Sequence, residues 1–499
     1  MSAKTPDYRI YPLRHGKTKI RASDAFVGGD PEEIVDYALY VFLILGGETP
    51  MMVDVGLTDL DSMNRGARAV LYEPISQIPE ESVDVQLGHF GLTPKDIGHV
   101  FITHLHFDHV DNLGDFANAR VHMGRREWEL ATANGCKGSW GHGRIMNLFL
   151  KDPGWKERLV LEEDGEILPG VRCFQLGGHT PGSTAYAFST KHGRVMMPGD
   201  TVSLAANLEK PVGVFANREE LEPAVATVKR EADFVLASHE PRNNELWPPR
   251  PAETPLHTIK ALYNGKCEVR DYITFQASSS EATRTFNLYV WLVRNGEKTV
   301  VVETGVKDAA GFSASTERYI PGGVVQKPEE RTPELLRREG VNPDGVEHVL
   351  ITHLHPDHYD YFDAFPNAQM VVNRREFEES RDRLIPEVAR QLESRPEALR
   401  LVEEEEILPG IRAIPLGCHS AGSQGFLVET WLGPVLLTGD VVYLYENLEA
   451  DRIINSEDPD ACRRAYAKIR SLTDIILPAH DPLVLKRWPG GIIGALPRP

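Results

Sequence analysis

The stretch Thr103-His104-Leu105-His106-Phe107-Asp108-His109 decides the reading of this chain, because it recurs as Thr352-His353-Leu354-His355-Pro356-Asp357-His358. Each copy is followed by a lone His, then a Gly-Asp, then a last His. These are His179, Asp200 and His239 after the first copy, and His419, Asp440 and His480 after the second. The two sets use ten of the chain's eighteen histidines. Their spacing agrees: 353 − 104 = 249 at the motif, then 419 − 179 = 240, 440 − 200 = 240 and 480 − 239 = 241. A deletion of 249 − 240 = 9 residues between motif and lone His accounts for the change.

The text around the motifs repeats at the same shifts. Tyr40-Val41-Phe42-Leu43 returns as Tyr289-Val290-Trp291-Leu292, and Glu166-Ile167-Leu168-Pro169-Gly170 as Glu406-Ile407-Leu408-Pro409-Gly410. A period this long is far above the 20–50 residues of repeat arrays, so a whole domain is duplicated. The length of 499 residues fits two domains, each large enough for its own core. The boundary falls at Trp247-Pro248-Pro249-Arg250-Pro251, which cannot continue a helix or a central strand. We read 1–246 as the first domain, 247–256 as a Pro-rich linker and 257–499 as the second domain. The Gly- and Pro-rich tail from Trp488 is expected to run over a surface.

A net charge of −19 repels nucleic acid and anionic membrane. No apolar run is long enough to span a bilayer, and the first residues carry no apolar signal core, so a cytoplasmic location is expected. Five scattered cysteines imply no disulfide framework.

Short apolar runs lead into the ligands. Val100-Phe101-Ile102 precedes His104, Val195-Met196-Met197 precedes Asp200 and Phe234-Val235-Leu236 precedes His239, with Val349-Leu350-Ile351, Val435-Leu436-Leu437 and Ile475-Ile476-Leu477 in the second half. They read as buried strands whose ends carry the site. Helical patterns at Arg125 to Ala133 and Arg374 to Leu384 alternate with them, giving an α/β or α+β class.

Imidazole and carboxylate without thiolate suit Zn, Fe or Mn. Five His and two Asp exceed what one tetrahedral ion takes, but fit two ions sharing a carboxylate, with Asp200 and Asp440 as the bridging candidates. Two ions roughly 3.5–4 Å apart can hold a hydroxide at neutral pH and polarise an acyl or phosphoryl oxygen. His15, His89, His122, His192, His257 and His348 fall outside the pattern and read as structural. His142 reads as part of a solvated loop, and Cys418, beside His419, as packing.

This ligand order resembles the metallo-β-lactamase-fold hydrolase superfamily, once per half. The resemblance implies two tandem αββα sandwiches. It implies that His104, His106 and His179 bind one metal while Asp108, His109 and His239 bind the other, with Asp200 bridging. In the second half His353, His355 and His419 would hold one ion and Asp357, His358 and His480 the other, bridged by Asp440. Two divalent ions per domain are expected, Zn2+ first, with Fe or Mn as alternatives. Asp54 and Glu303 resemble the family's buried structural acid.

Gly182-Ser183 after His179, and Asp440-Val441-Val442-Tyr443 followed by Asn447-Leu448, resemble the N-acyl homoserine lactonase-like subgroup. That group places a Tyr three residues after the bridging Asp, against the substrate carbonyl. Tyr443 stands there; the first half departs with Ser203. The expectation is therefore a dinuclear lactonase in which a metal-bound hydroxide opens the ring. Tyr443 would stabilise the oxyanion and Asp357 or Asp108 would protonate the leaving alkoxide. The substrate would be a small lactone or ester, with no nucleic-acid or membrane partner. The duplicated halves would pair as an intramolecular pseudo-dimer, with further homo-oligomers open. The alternatives are another carboxylic ester, thioester or phosphodiester hydrolase, an iron oxygenase, or one active half beside a structural or binding module.

Overall fold

Along Ala38-Leu39-Tyr40-Val41-Phe42-Leu43-Ile44 every side chain is apolar and buried. A strand covered on both faces requires such a run. It is the centre of β2 (Ile34–Leu45), which pairs antiparallel with β1 (Arg9–Arg21) and β3 (Met51–Val53). The strands β4 (His99–Ile102), β5 (Arg120–Gly124) and β6 (Leu159–Glu162) continue the sheet in parallel, in the order β1-β2-β3-β4-β5-β6. A second sheet holds β7 (Gly165–Leu168), β8 (Val171–Gln175), β9 (Thr184–Thr190), β10 (Gly193–Met197) and β11 (Phe234–Val235), in the order β11-β10-β9-β8-β7.

The computed structural model describes residues 6–133, 143–251, 254–296 and 298–495; His142 lies outside them. The chain forms two units divided between Arg250 and Pro251.

Alternation along the strands sets the layers. Tyr40, Phe42 and Ile44 point to one face and share a core with Cys173, Tyr186, Phe188, Val195 and Met197 of the other sheet. On that sheet the intervening Phe174, Ala185, Ala187 and Met196 point away, onto Ala224, Val225 and Val228 of the helix Arg218–Glu231.

The second unit repeats the plan with β12 (Thr258–Arg270), β13 (Thr283–Asn295), β14 (Lys298–Val302), β15 (His348–Leu350), β16 (Gln369–Asn373) and β17 (Leu399–Val402) in its first sheet. Its other sheet is β18 (Glu406–Leu408), β19 (Ile411–Pro415), β20 (Gln424–Thr430), β21 (Gly433–Leu437) and β22 (Ile475–Leu477). Helices cover both outer faces. Leu335, Leu336, Val388 and Leu392 pack on one, and Ala465, Tyr466 and Ile469 on the other. Each unit is thus an αββα sandwich. Even a β-bulge repeats, between Arg14 and Gly16 in β1 and between Tyr263 and Gly265 in β12, at the shift 263 − 14 = 249.

Three details differ from the sequence reading. Trp247 is buried in the first unit's core, its indole N–H donating to the Ile10 carbonyl at 2.8 Å, so it is not linker. The tail is not a surface strand either. Trp488 and Ile493 are buried, and β23 (Ile492–Ile493) pairs with the edge of β12. A two-residue bridge needs only one free edge, which Gly- and Pro-rich text does not advertise. Finally, Cys418 and Cys462 form a disulfide, between the residue before His419 and the helix Pro459–Leu472.

Candidate metal centres

Several of the ligands follow the ends of strands, on backbone held by close contacts. His104 follows β4 and its Thr103 neighbour is clamped by Asp54, which accepts from Thr103 N and Oγ1 at 2.8 Å each. Asp200 follows β10 through Gly199, whose φ is +55° and whose added Cβ would sit 2.8 Å from Thr103 Cβ. Only glycine suits both demands. Gly439 before Asp440 repeats this, at φ +53° and 2.5 Å from Thr352 Oγ1. Asp108 and His109 lie on the helical turn Phe107–Val110, and His239 follows β11.

The structure brings the sequence-predicted residues together. One group is His104, His106, His179 and Asp200, and a second is Asp108, His109 and His239. The other unit gathers His353, His355, His419 and Asp440, then Asp357, His358, Asp440 and His480. In each group the candidate donor atoms lie within 4.8 Å of one another, close enough to hold an ion. The shared aspartates divide their oxygens between the groups. Asp200 Oδ2 is 3.6 Å from His179 Nε2 and 4.0 Å from His104 Nε2, while Oδ1 is 3.0 Å from His239 Nε2 and 3.3 Å from His109 Nε2. Asp440 does likewise, Oδ2 at 3.5 Å from His419 and Oδ1 at 2.9 Å from His480.

Several of these atoms are buried without a hydrogen bond among the described residues: His104 Nε2, His109 Nε2, His239 Nε2 and Asp200 Oδ1, with His358 Nε2 and Asp440 Oδ1 opposite. A protein interior rarely leaves such groups unpaired. Orphaned imidazole and carboxylate atoms converging on one point fit a pair of divalent cations.

The far ring nitrogens are tied down, which fixes which nitrogen faces inward. His179 Nδ1 meets the Val214 carbonyl at 2.8 Å, His239 Nδ1 that of Ala38 at 2.9 Å and His480 Nδ1 that of Asn287 at 3.0 Å. His419 Nδ1 instead meets the Tyr443 hydroxyl at 3.1 Å. Burial, then the neighbouring imidazoles, holds His104 and His353 well below the usual histidine range, in the neutral form that binds metal. Burial opposes charge on Asp200, but His239 and His109 outweigh it and hold that carboxyl well below its ordinary range.

Two features were not found from sequence. Glu127 accepts from Leu105 N at 3.0 Å and Thr180 Oγ1 at 2.9 Å, joining the loop of His104 and His106 to that of His179. Glu376, at the shift 376 − 127 = 249, does the same through Leu354 N at 2.9 Å and Ser420 Oγ at 2.7 Å. The matching helical patterns held the signal, since a buried Glu recurs in each. The second feature is aromatic. The Tyr37 ring stacks on His239, centroids 4.1 Å apart and planes 15° apart, and Phe286 stacks on His480 at 5.1 Å and 15°.

The chain is similar to several known proteins. The N-acyl homoserine lactonase of Bacillus thuringiensis is 29% identical over 241 residues, spanning 45% of this chain and 94% of that protein. The N-acyl homoserine lactonase AiiB of Agrobacterium fabrum is 25% identical over 223 residues, 38% of this chain and 78% of that one. A solved N-acyl homoserine lactone hydrolase with its product N-hexanoyl-L-homoserine at the metal centre is 24% identical, covers 47% of this chain and 96% of its own, and has a TM-score of 0.41. The family model described as the metallo-beta-lactamase superfamily matches residues 37–267 and again 284–482. The chain belongs to the metallo-beta-lactamase superfamily, with one copy of that domain in each half.

Proposed function

We propose that this metal-dependent hydrolase of ester bonds is a lactonase with a dinuclear centre in each unit, zinc being the first candidate among the Zn, Fe and Mn that the donor set suits. The observation that carries the reading is the division of Asp200 and Asp440 between two ligand groups, one oxygen toward each. Similarity to N-acyl homoserine lactonases supports the lactone as substrate. When bound, a pair of divalent ions supplies Lewis-acid polarisation of the carbonyl and makes a water acidic enough to act as hydroxide near neutral pH.

The chain's residues do the rest. His104, His106 and His179 would hold one ion, Asp108, His109 and His239 the other, with Asp200 between them. His353, His355, His419, Asp357, His358, His480 and Asp440 take the same parts in the second unit. Tyr443 places a phenol beside His419 and Asp440, where it can donate to the oxygen that gains charge as the carbonyl is attacked. Water adds to the carbonyl carbon, the ring C–O bond breaks, and the alkoxide takes up a proton. Asp108 or Asp357 can relay that proton, so that lactone plus water gives one hydroxy acid. We assign residues 1–246 and 257–499 to the two catalytic domains, with the Pro-rich segment between them.

The test is a hydrolysis screen across lactones, simple esters, thioesters and phosphodiesters, with His104→Ala and His353→Ala disabling one centre each. Lactone turnover that falls with each substitution and vanishes with both is expected. Turnover of thioesters or phosphodiesters in preference to every lactone would reject this function.

A further inference from the structure

Among the differences between the two centres, one pair of positions is reciprocal. Tyr37 in β2 lies opposite Thr18 of β1, and Phe286 in β13 lies opposite Cys267 of β12, so the two aromatics hold the same register at the shift 286 − 37 = 249. Both stack on the last His ligand of their unit. Three residues after the bridging Asp, the first unit has Ser203 and the second Tyr443. Thus one unit has phenol plus small hydroxyl, the other benzyl plus phenol. The phenol is present once in each, on opposite members of the pair.

The packing shows why. Tyr443 fills the space beside Phe286, ring centroids 5.2 Å apart. In the first unit the smaller Ser203 stands at that position, its backbone carbonyl accepting from His239 N at 2.8 Å and its hydroxyl donating to the Asp200 carbonyl at 3.2 Å. The Tyr37 ring, stacked on His239, is thereby held next to a ligand of the first centre and to the residue that bears Ser203. Tyr37 also lines an open cleft of about 460 Å³ with Lys17, Thr18, Ala38 and Pro241. A tyrosine at position 203 in addition would place two phenols in one space.

We propose that Tyr37 is the phenolic hydrogen-bond donor of the first centre, supplying from β2 what Tyr443 supplies from the segment after Asp440 in the second. This rests on the ester-hydrolase reading above and gives the first centre a donor despite the departure at Ser203. Tyr37 keeps its proton through the reaction. It donates a hydrogen bond to the carbonyl oxygen as water adds, and the breaking C–O bond passes its electron pair to the ring oxygen, which is protonated elsewhere. Both centres are then competent, with the phenol supplied from a different place in the chain in each.

The experiment uses the full zinc-loaded chain carrying Asp440→Ala, or His353→Ala should the first fold poorly, so that only the first centre is intact. Adding Tyr37→Phe is expected to lower kcat on a small γ-lactone by at least about tenfold, with KM and zinc content little changed. Combining Tyr37→Phe with Ser203→Tyr rebuilds the arrangement of the second unit and should restore most of the loss. Binding of acetohydroxamate, a carbonyl-like zinc chelator, is read in parallel and should weaken about tenfold in Tyr37→Phe and recover in the double variant. If the parent cleaves no lactone, the lactone reading fails while the hydroxamate titration still judges Tyr37. Unchanged kcat and unchanged hydroxamate affinity in Tyr37→Phe would overturn the assignment. So would a loss that follows zinc content and is not rescued by Ser203→Tyr, which would make Tyr37 a packing ring only.

Discussion

Asp54 Oδ2 lies 2.7 Å from His109 Nδ1, whereas the matching contact from Glu303 Oε2 to His358 Nδ1 is 3.4 Å. Both acids sit in left-handed backbone, at φ 56° and 62°, so neither main chain has room to adjust. Asp54 fits: its oxygens also accept from Thr103 N and Oγ1. Glu303 carries one more methylene into the same place. It accepts from Thr352 N at 3.2 Å, and Oε2 makes no hydrogen bond among the described residues. A carboxylate behind a ligand histidine typically matters about 10–100-fold in metal affinity. Asp54→Ala should therefore weaken the ion held by Asp108, His109 and His239 by about that factor, and Glu303→Ala should cost its counterpart clearly less. Chelator competition on the two variants decides; equal losses would show that the 2.7 and 3.4 Å contacts are equivalent.

Glu127 and Glu376 lend themselves to a second prediction. Each is buried and ties both ligand loops of the three-histidine group together. Burial raises the Glu127 carboxyl above its usual range, while Leu105 N–H, Thr180 and Gly182 N–H favour its charged form. Glu127→Ala strands those donors, at about 1–3 kcal/mol for each left unsatisfied. We expect a lower melting temperature and loss of the ion held by His104, His106 and His179, with the ion on the Asp108 side retained longer. Loss of both ions together would assign Glu127 to folding alone.

Metal content gives a third. Four ligand groups should carry about four divalent ions in the purified chain. Asp200→Ala should empty the first unit's centre and leave the second loaded, and Asp440→Ala the reverse. Elemental analysis after reconstitution tests this, and a constant value near one ion per chain would reject the dinuclear arrangement.

How much of this could be read from sequence follows from the kind of signal involved. The ligands were legible because a metal site needs particular donor atoms, and duplication printed them twice. The strands before His104 and Asp200 were legible because burial on both faces demands unbroken apolar runs, whereas the one before His239, read as buried, is a sheet edge with Phe234 exposed. The nearness of Tyr37 to Ser203 was not legible, since the two are 166 residues apart (203 − 37) and come together only because both adjoin His239. Glu127 was not legible, because a helical pattern does not show which of its charges is buried. Its role depends on which end of that helix faces the ligand loops. The Cys418–Cys462 bond was hidden in the same way, because a sequence separation of 44 says nothing about which two of five cysteines meet.

The last prediction concerns acid. Apart from the ligands, the first unit buries histidines in neutral form. Burial, with His109 and His239 nearby, pushes His15 down to about 3. Burial likewise takes His89, His99 and His122 to about 4, with His122 and Arg120 adding to the effect on His99 and Arg120 to that on His122. In the second unit His257 and His348 are lowered too, by burial. An unfolded histidine titrates near 6.5. Each lowered one therefore contributes stability that is present above that pH, because both states are neutral there, and that is lost as pH falls toward 4 and the unfolded chain binds the extra proton. His99 is only half-buried, so solvent screening reduces its share. The metal-free first unit should thus lose stability between about pH 6.5 and 4 more steeply than the second. Hydrogen exchange or limited proteolysis, which reports on the two units separately, reads this directly. Parallel loss in both units over that range would show that these histidines do not set the acid limit, and His122→Phe, which removes one titrating group, should then leave the first unit's profile unchanged instead of flattening it.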